Sequence, residues 1–196
     1  KTFDVVYDNI AYSSNDIKYL LDVIQCKRYI LTSSSATYRY QKIETEETAF
    51  DQKKHALIWT SDPENYAEGK RLTEAAVFQA YSQIPAVAVR IPYVIGENDY
   101  TERLFSYVEH VIKEEAMTID NRNAQISFIH EKEAGAFLAW LADKEYVGAI
   151  NGNNLGTLSI QEVFDYIEEK TGLKAILTED GYAGPYNGTQ NFSLST

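Results

Sequence analysis

The chain has 196 residues, 44% of them hydrophobic and 13% aromatic, enough for one domain with a sizeable core and unlike a disordered segment. A formal net charge of −11 argues against nucleic acid and anionic membranes as partners, because both demand clustered cations. Cys26 is the only cysteine, so no intrachain disulfide forms and a reducing, cytoplasmic compartment is expected; no run reaches the ~20 apolar residues of a membrane span.

In chain order, residues 3–7 begin a strand, with Ile10 and Ala11 at or beyond its end. Ser13 or Ser14 caps a helix whose apolar stripe is Ile17, Leu20, Leu21 and Ile24, and Asp16 suits its dipole. Cys26 falls inside this helical pattern and reads as a packing residue. Residues 27–35 are a short apolar run ending in hydroxyls, a buried strand around Tyr29–Leu31 that delivers serines to its carboxyl end. Residues 38–63 are polar and irregular, a length typical of a loop over an active site. Glu44, Glu46, Glu47 and Asp51 within it read as a solvated face.

A helix runs from Tyr66 through Leu72, Ala75 and Ala76 to Tyr81, and a second buried strand covers residues 86–92. After a turn at residues 98–100, Leu104, Tyr107, Val108, Val111 and Ile112 mark a further helix. Residues 117–119 and 126–129 read as short strands around a turn at 120–123. His130 enters the next helix as a structural residue, and Arg122 is a remote candidate for a substrate anion. Residues 148–151 are a late strand, Ser159 and Glu162 form a capping box, and Gly172 stops that helix. Residues 174–178 read as a last strand, followed by a loop or loose tail from residue 179. His55, His110 and His130 show no metal-ligand spacing.

Tyr66 and Lys70, four apart on one helix, project from the same face. Free tyrosine titrates near pH ~10, and an adjacent ammonium favours its phenolate, which makes such a pair a usable acid/base. The serine run and this helix both point to the carboxyl side of one parallel sheet, where ligands of open α/β sheets sit. Ser35 is the best hydroxyl to hold a substrate oxygen there, with Ser34 as fallback.

Four ordered landmarks, SSSAT at residues 33–37, YAEGK at 66–70, RIPYVIG at 90–96 and ISFIHEKEAGAF at 126–137, resemble the extended short-chain dehydrogenase/reductase family, also called NAD-dependent epimerase/dehydratases. The resemblance implies a catalytic set of Ser35, Tyr66 and Lys70, with Lys70 also holding the nicotinamide ribose. It further implies cofactor contacts at Ile10, Ala11, Ser33, Tyr66, Lys70, Pro92, Tyr93 and Val94, and a homodimer through the helices around Leu20 and Tyr66. The fold expected from it is α/β, a partial Rossmann-like, doubly wound parallel sheet with a small C-terminal α+β part. Residues 1–96 then form the C-terminal half of a dinucleotide-binding domain. Residues 97–196 are mostly substrate-binding, with 126–151 returning to the sheet.

Three departures from the family's pattern stand out. The Gly-rich phosphate loop is absent, so the sequence reads as a fragment with weak or no binding of NAD or NADP by itself. Ile126 stands where the family usually places a phosphate-binding arginine, which favours a small alcohol or ketone over a nucleotide sugar. Tyr38-Arg39-Tyr40 and Glu131-Lys132-Glu133 replace two further family segments. The expected activity is hydride transfer at a carbinol or keto carbon on a small-molecule substrate. The alternative is a non-catalytic relative that senses a dinucleotide or binds RNA.

Overall fold

Strands buried on both faces are apolar at nearly every position, and the runs at 29–31 and 86–91, the latter interrupted only by Arg90, meet that need. In the computed structural model, which describes residues 1–40, 42–186 and 190–195, they become neighbours at the centre of a parallel sheet. In chain order the strands are β1 (Thr2–Asp8), β2 (Gln25–Ser34), β3 (Ala86–Ile91), β4 (Tyr93–Ile95), β5 (Met117–Thr118), β6 (Phe128–His130), β7 (Gly148–Asn151) and β8 (Tyr182–Ala183). The helices are α1 (Ser14–Leu21), α2 (Tyr66–Ala75), α3 (Arg103–Ile112), α4 (Glu131–Leu141) and α5 (Ile160–Thr171). The main sheet is four-stranded and wholly parallel in the order β1-β2-β3-β7, which leaves β1 at an edge.

Alternation along the strands divides the core. Tyr29 and Leu31 of β2 and Ala86 and Ala88 of β3 pack with Ile17, Leu21 and Val77, the α1 and α2 side. Ile30, Val87 and Val89 pack with Ala134 and Leu141 of α4 on the other side. The sheet is thus covered on both faces, as the doubly wound reading requires. A separate core joins Tyr107 and Val111 of α3, Phe128 of β6 and Ile160, Phe164 and Ile167 of α5.

The helix ends follow their sequence signals. Ser13 and Asp16 form a capping box, Ser159 and Glu162 form another, and Gly172 adopts the left-handed φ of +73° that ends α5. Among the described residues, no helix is long and apolar enough to cross a membrane.

Five local expectations need correction. Cys26 belongs to β2, not to a helical stripe. The Tyr66 helix changes to a π turn over Ala76–Ala80. The strands at 117–118 and 128–130 do not pair with each other: β5 pairs with β8, and β6 with β4. Residues 174–178 make only a single bridge, Leu177 to Met117, and the last strand is β8. The tail is packed where it is described, with Phe192 and Leu194 buried and bridged to Ile126 and Thr45. Its residues 187–189 and 196 lie outside the described residues. For the strands and the tail, a partner distant in sequence decided the outcome over local pattern.

Candidate active site

The carboxyl ends of β2 and β3 are in register, Ser33 opposite Arg90 and Ser34 opposite Ile91. Ser34 Oγ accepts a hydrogen bond from Ala36 N at 3.1 Å and so caps a 3₁₀ turn over Ser35–Thr37. This turn takes Ser35 off the ladder and into a cleft of about 500 Å³ beyond the strand ends. Ser33, Ser34, Ser35 and Tyr66 line the cleft together with Pro92, Tyr93, Val94, Arg103 and Phe192.

Tyr66 is the first residue of α2, whose N-cap Asn65 accepts from Glu68 N at 2.9 Å. It is 45% exposed, and its ring packs on Tyr12 with centroids 5.6 Å apart. Lys70 lies one turn further and is buried, with Nζ 5.9 Å from the Tyr66 ring centroid. Its ammonium donates to the carbonyls of Ala11 at 2.8 Å and Thr32 at 3.0 Å. Burial lowers the Lys70 pKa below its ordinary value, partly offset by the carboxylates of Asp8, Glu74 and Asp16. Gly69 makes this placement feasible. A Cβ there would collide with the Tyr12 carbonyl oxygen and lie 3.0 Å from Pro63 Cγ, so bare backbone lets α2 come close to the turn after β1.

Ser33 and Arg90 are used differently. Ser33 is buried and donates to Glu74 Oε1. Arg90 is fully buried and paired with Glu74 through two bonds, of 3.0 and 2.7 Å. Its remaining donors go to Tyr38 Oη, the carbonyls of Glu47 and Phe50, and Gln52 Oε1. Arg90 therefore fastens the long loop after the serine run. Glu47, one of the loop's acids, also accepts from Asn151 N at 2.8 Å and ties the loop to β7.

Of the residues singled out in the sequence, the cleft brings together Ser33, Ser34, Ser35, Tyr66, Pro92, Tyr93 and Val94. Lys70 stands beside it through Tyr66 and Thr32. Ile10, 90% exposed, and Ala11, buried with its carbonyl on Lys70, are not part of the lining. His130 caps α4, its Nδ1 accepting from Lys132 N at 3.2 Å. It also borders a neighbouring cavity of about 550 Å³ that contains neither the serines nor Tyr66. Arg122 is outside the cleft.

Two lining residues escaped the sequence reading. Arg103 opens α3, a lone cation just ahead of the apolar stripe, and Phe192 lies in the segment read as a tail. Among the described residues, no three His, Cys, Asp or Glu side chains converge on a metal-sized site.

A nicotinamide ribose fits the donor chemistry. An ammonium has three N–H groups, and among the described residues two on Lys70 are taken by carbonyls, so one donor remains that a ribose hydroxyl could accept.

No known protein family and no curated protein matches the chain by sequence. Solved structures do match it. UDP-glucuronic acid 4-epimerase from Bacillus cereus, in complex with UDP-glucuronic acid and NAD, is 16% identical with a TM-score of 0.69, over 93% of this chain and 57% of its own. An epimerase from Methanothermobacter thermautotrophicus is 16% identical with a TM-score of 0.68, over 97% of this chain and 64% of its own. UDP-glucose 4-epimerase from Thermus thermophilus, in complex with NAD, is 15% identical with a TM-score of 0.60, over 86% of this chain and 55% of its own. The chain thus spans less than two thirds of the length of each, and over that span it has the Rossmann-like α/β fold of the NAD-dependent epimerases.

Proposed function

We propose that the chain carries the acid/base and substrate side of an NAD(P)-dependent oxidoreductase or epimerase-type enzyme. The observation that carries this reading is the shared cleft: Ser35 and the exposed face of Tyr66 line one cavity at the strand ends, with the Lys70 ammonium next to the phenol. A bound nicotinamide would supply the hydride acceptor or donor. Tyr66 takes the proton of the carbinol hydroxyl, or returns it, and Ser35 holds that oxygen in place. Lys70, fixed by two carbonyls, stabilises negative charge as it develops on the phenol oxygen and offers its third N–H to a ribose hydroxyl.

In this reading residues 1–96 face the cofactor, with Pro92, Tyr93 and Val94 near the nicotinamide, and residues 97–196 mostly face the substrate. Affinity of these 196 residues alone for NAD or NADP is weak, because no Gly-rich loop at a helix N-terminus is present among them to bind the pyrophosphate. The similar enzymes act on UDP-sugars, as their names state. Here Ile126 is buried in the α3–α5 core and offers no phosphate ligand, which favours a small alcohol or ketone.

Tyr66→Phe tests the reading. NAD-linked turnover of the native protein is expected to fall by about 10²–10⁴-fold with cofactor affinity retained. Unchanged turnover would overturn the acid/base role.

A further inference from the structure

Arg103 is a cation in the lining of the cleft that holds Ser35 and Tyr66. As the first residue of α3 it opposes the helix dipole, so helix stability does not account for it. The side chain is nevertheless held in place. Nε donates to Thr101 Oγ1 at 2.9 Å, and Thr101 in turn donates to Asp99 Oδ1 through both its backbone N–H and its hydroxyl. The guanidinium carbon lies 5.9 Å from the Tyr93 ring centroid and 5.5 Å from that of Tyr186.

A guanidinium has five N–H donors. Among the described residues only Nε of the Arg103 side chain makes a hydrogen bond, to Thr101, and the terminal N–H groups keep no direct acceptor. The Asp99 carboxylate is near enough that, against burial and together with the bonds from Thr101, the Arg103 charge helps hold that carboxyl below its ordinary value. The same aromatic cluster contains a second unused donor. Tyr186 is 2% exposed and packs on Tyr93 with centroids 4.6 Å apart, and its Oη is buried with no partner among the described residues. Burial pushes this phenol up to about 12, so it keeps its proton at neutral pH.

We infer that Arg103 is the specificity-determining residue of this cleft and that the substrate carries an anionic group, a carboxylate or a phosphate, close to the carbon addressed by Tyr66 and Ser35. The inference rests on the proposed function, whose cleft it shares. A planar, always-charged fork restrained beside a packed pair of tyrosine rings suits bidentate contact with such an oxyanion. Arg103, Ser35 and Tyr66 line one cleft of about 500 Å³, so a single small molecule can meet all three. Arg103 takes the part that the sequence reading held open for Arg122, which is outside the cleft.

The test is titration of the 196-residue protein with lactate, dihydroxyacetone phosphate and uncharged propane-1,2-diol, followed by backbone amide NMR shifts. The anions are expected to move the signals of Ser35, Tyr66 and Arg103. Arg103→Gln is expected to weaken anion binding at least about tenfold, with Arg103→Lys recovering only part of it. The diol should bind both proteins equally. Tighter binding of lactate identifies a carboxylate, and tighter binding of dihydroxyacetone phosphate a phosphate. Equal anion affinity in Arg103→Gln, shifts confined to other surfaces, or no binding of either anion would overturn the inference. Tyr66→Phe is expected to keep most of the anion affinity while losing turnover, so the two readings fail separately.

Discussion

Lys70 and Arg90 are buried cations next to the serine run, and they are satisfied in different ways. Lys70 has two carbonyls and no carboxylate in direct contact, which leaves a donor and a lowered pKa. Arg90 has the Glu74 carboxylate on two nitrogens and acceptors from the long loop on the others, which leaves nothing for a ligand. In the proposed reading reactivity belongs to Lys70 and its neighbour Tyr66, while Arg90 serves fixation. Removing Arg90 strands a buried carboxylate, a change that costs about 3–5 kcal/mol. Arg90→Met is accordingly expected to lower the urea midpoint by the corresponding amount. It should also expose residues 42–51 to protease, and unaltered stability with an uncut loop would contradict its role as the fastener.

The helix that carries Tyr66 was legible because its signals are local: Tyr and Lys on one face, and apolar residues at helical spacing. The strands of the main sheet were legible for a similar reason, since a continuous apolar run bounded by polar residues has few other uses. Strands β4, β5, β6 and β8 have two or three residues each and no period to read, so their pairing depends on partners far along the chain. The close approach of α2 to Tyr12 was equally invisible, because Gly69 reads in sequence as a mild helix weakener. Gly69→Ala is expected to destabilise by about 1–3 kcal/mol despite the better helix propensity of alanine, as measured by urea unfolding. A stabilised variant would show that the contact with Tyr12 does not constrain the helix.

At the scale of the molecule, four separated stretches meet at the strand ends: the serine turn after β2, the first turn of α2, the segment from Pro92 to Arg103, and Phe192. The first two were legible from motif and register. Arg103 and Phe192 were not, because their place depends on how the α3–α5 core sits against β4 and β6.

In the proposed reading Ser35, Tyr66 and Lys70 act as one unit. Groups acting as a unit give grossly non-additive losses when removed together. The most direct measurement is therefore a double-mutant cycle on NAD-linked kcat with Ser35→Ala, Tyr66→Phe and the pair in the native protein. The double variant is expected to be about as impaired as Tyr66→Phe alone. Losses that multiply independently, or a Tyr66→Phe enzyme as fast as the wild type, would contradict the claim.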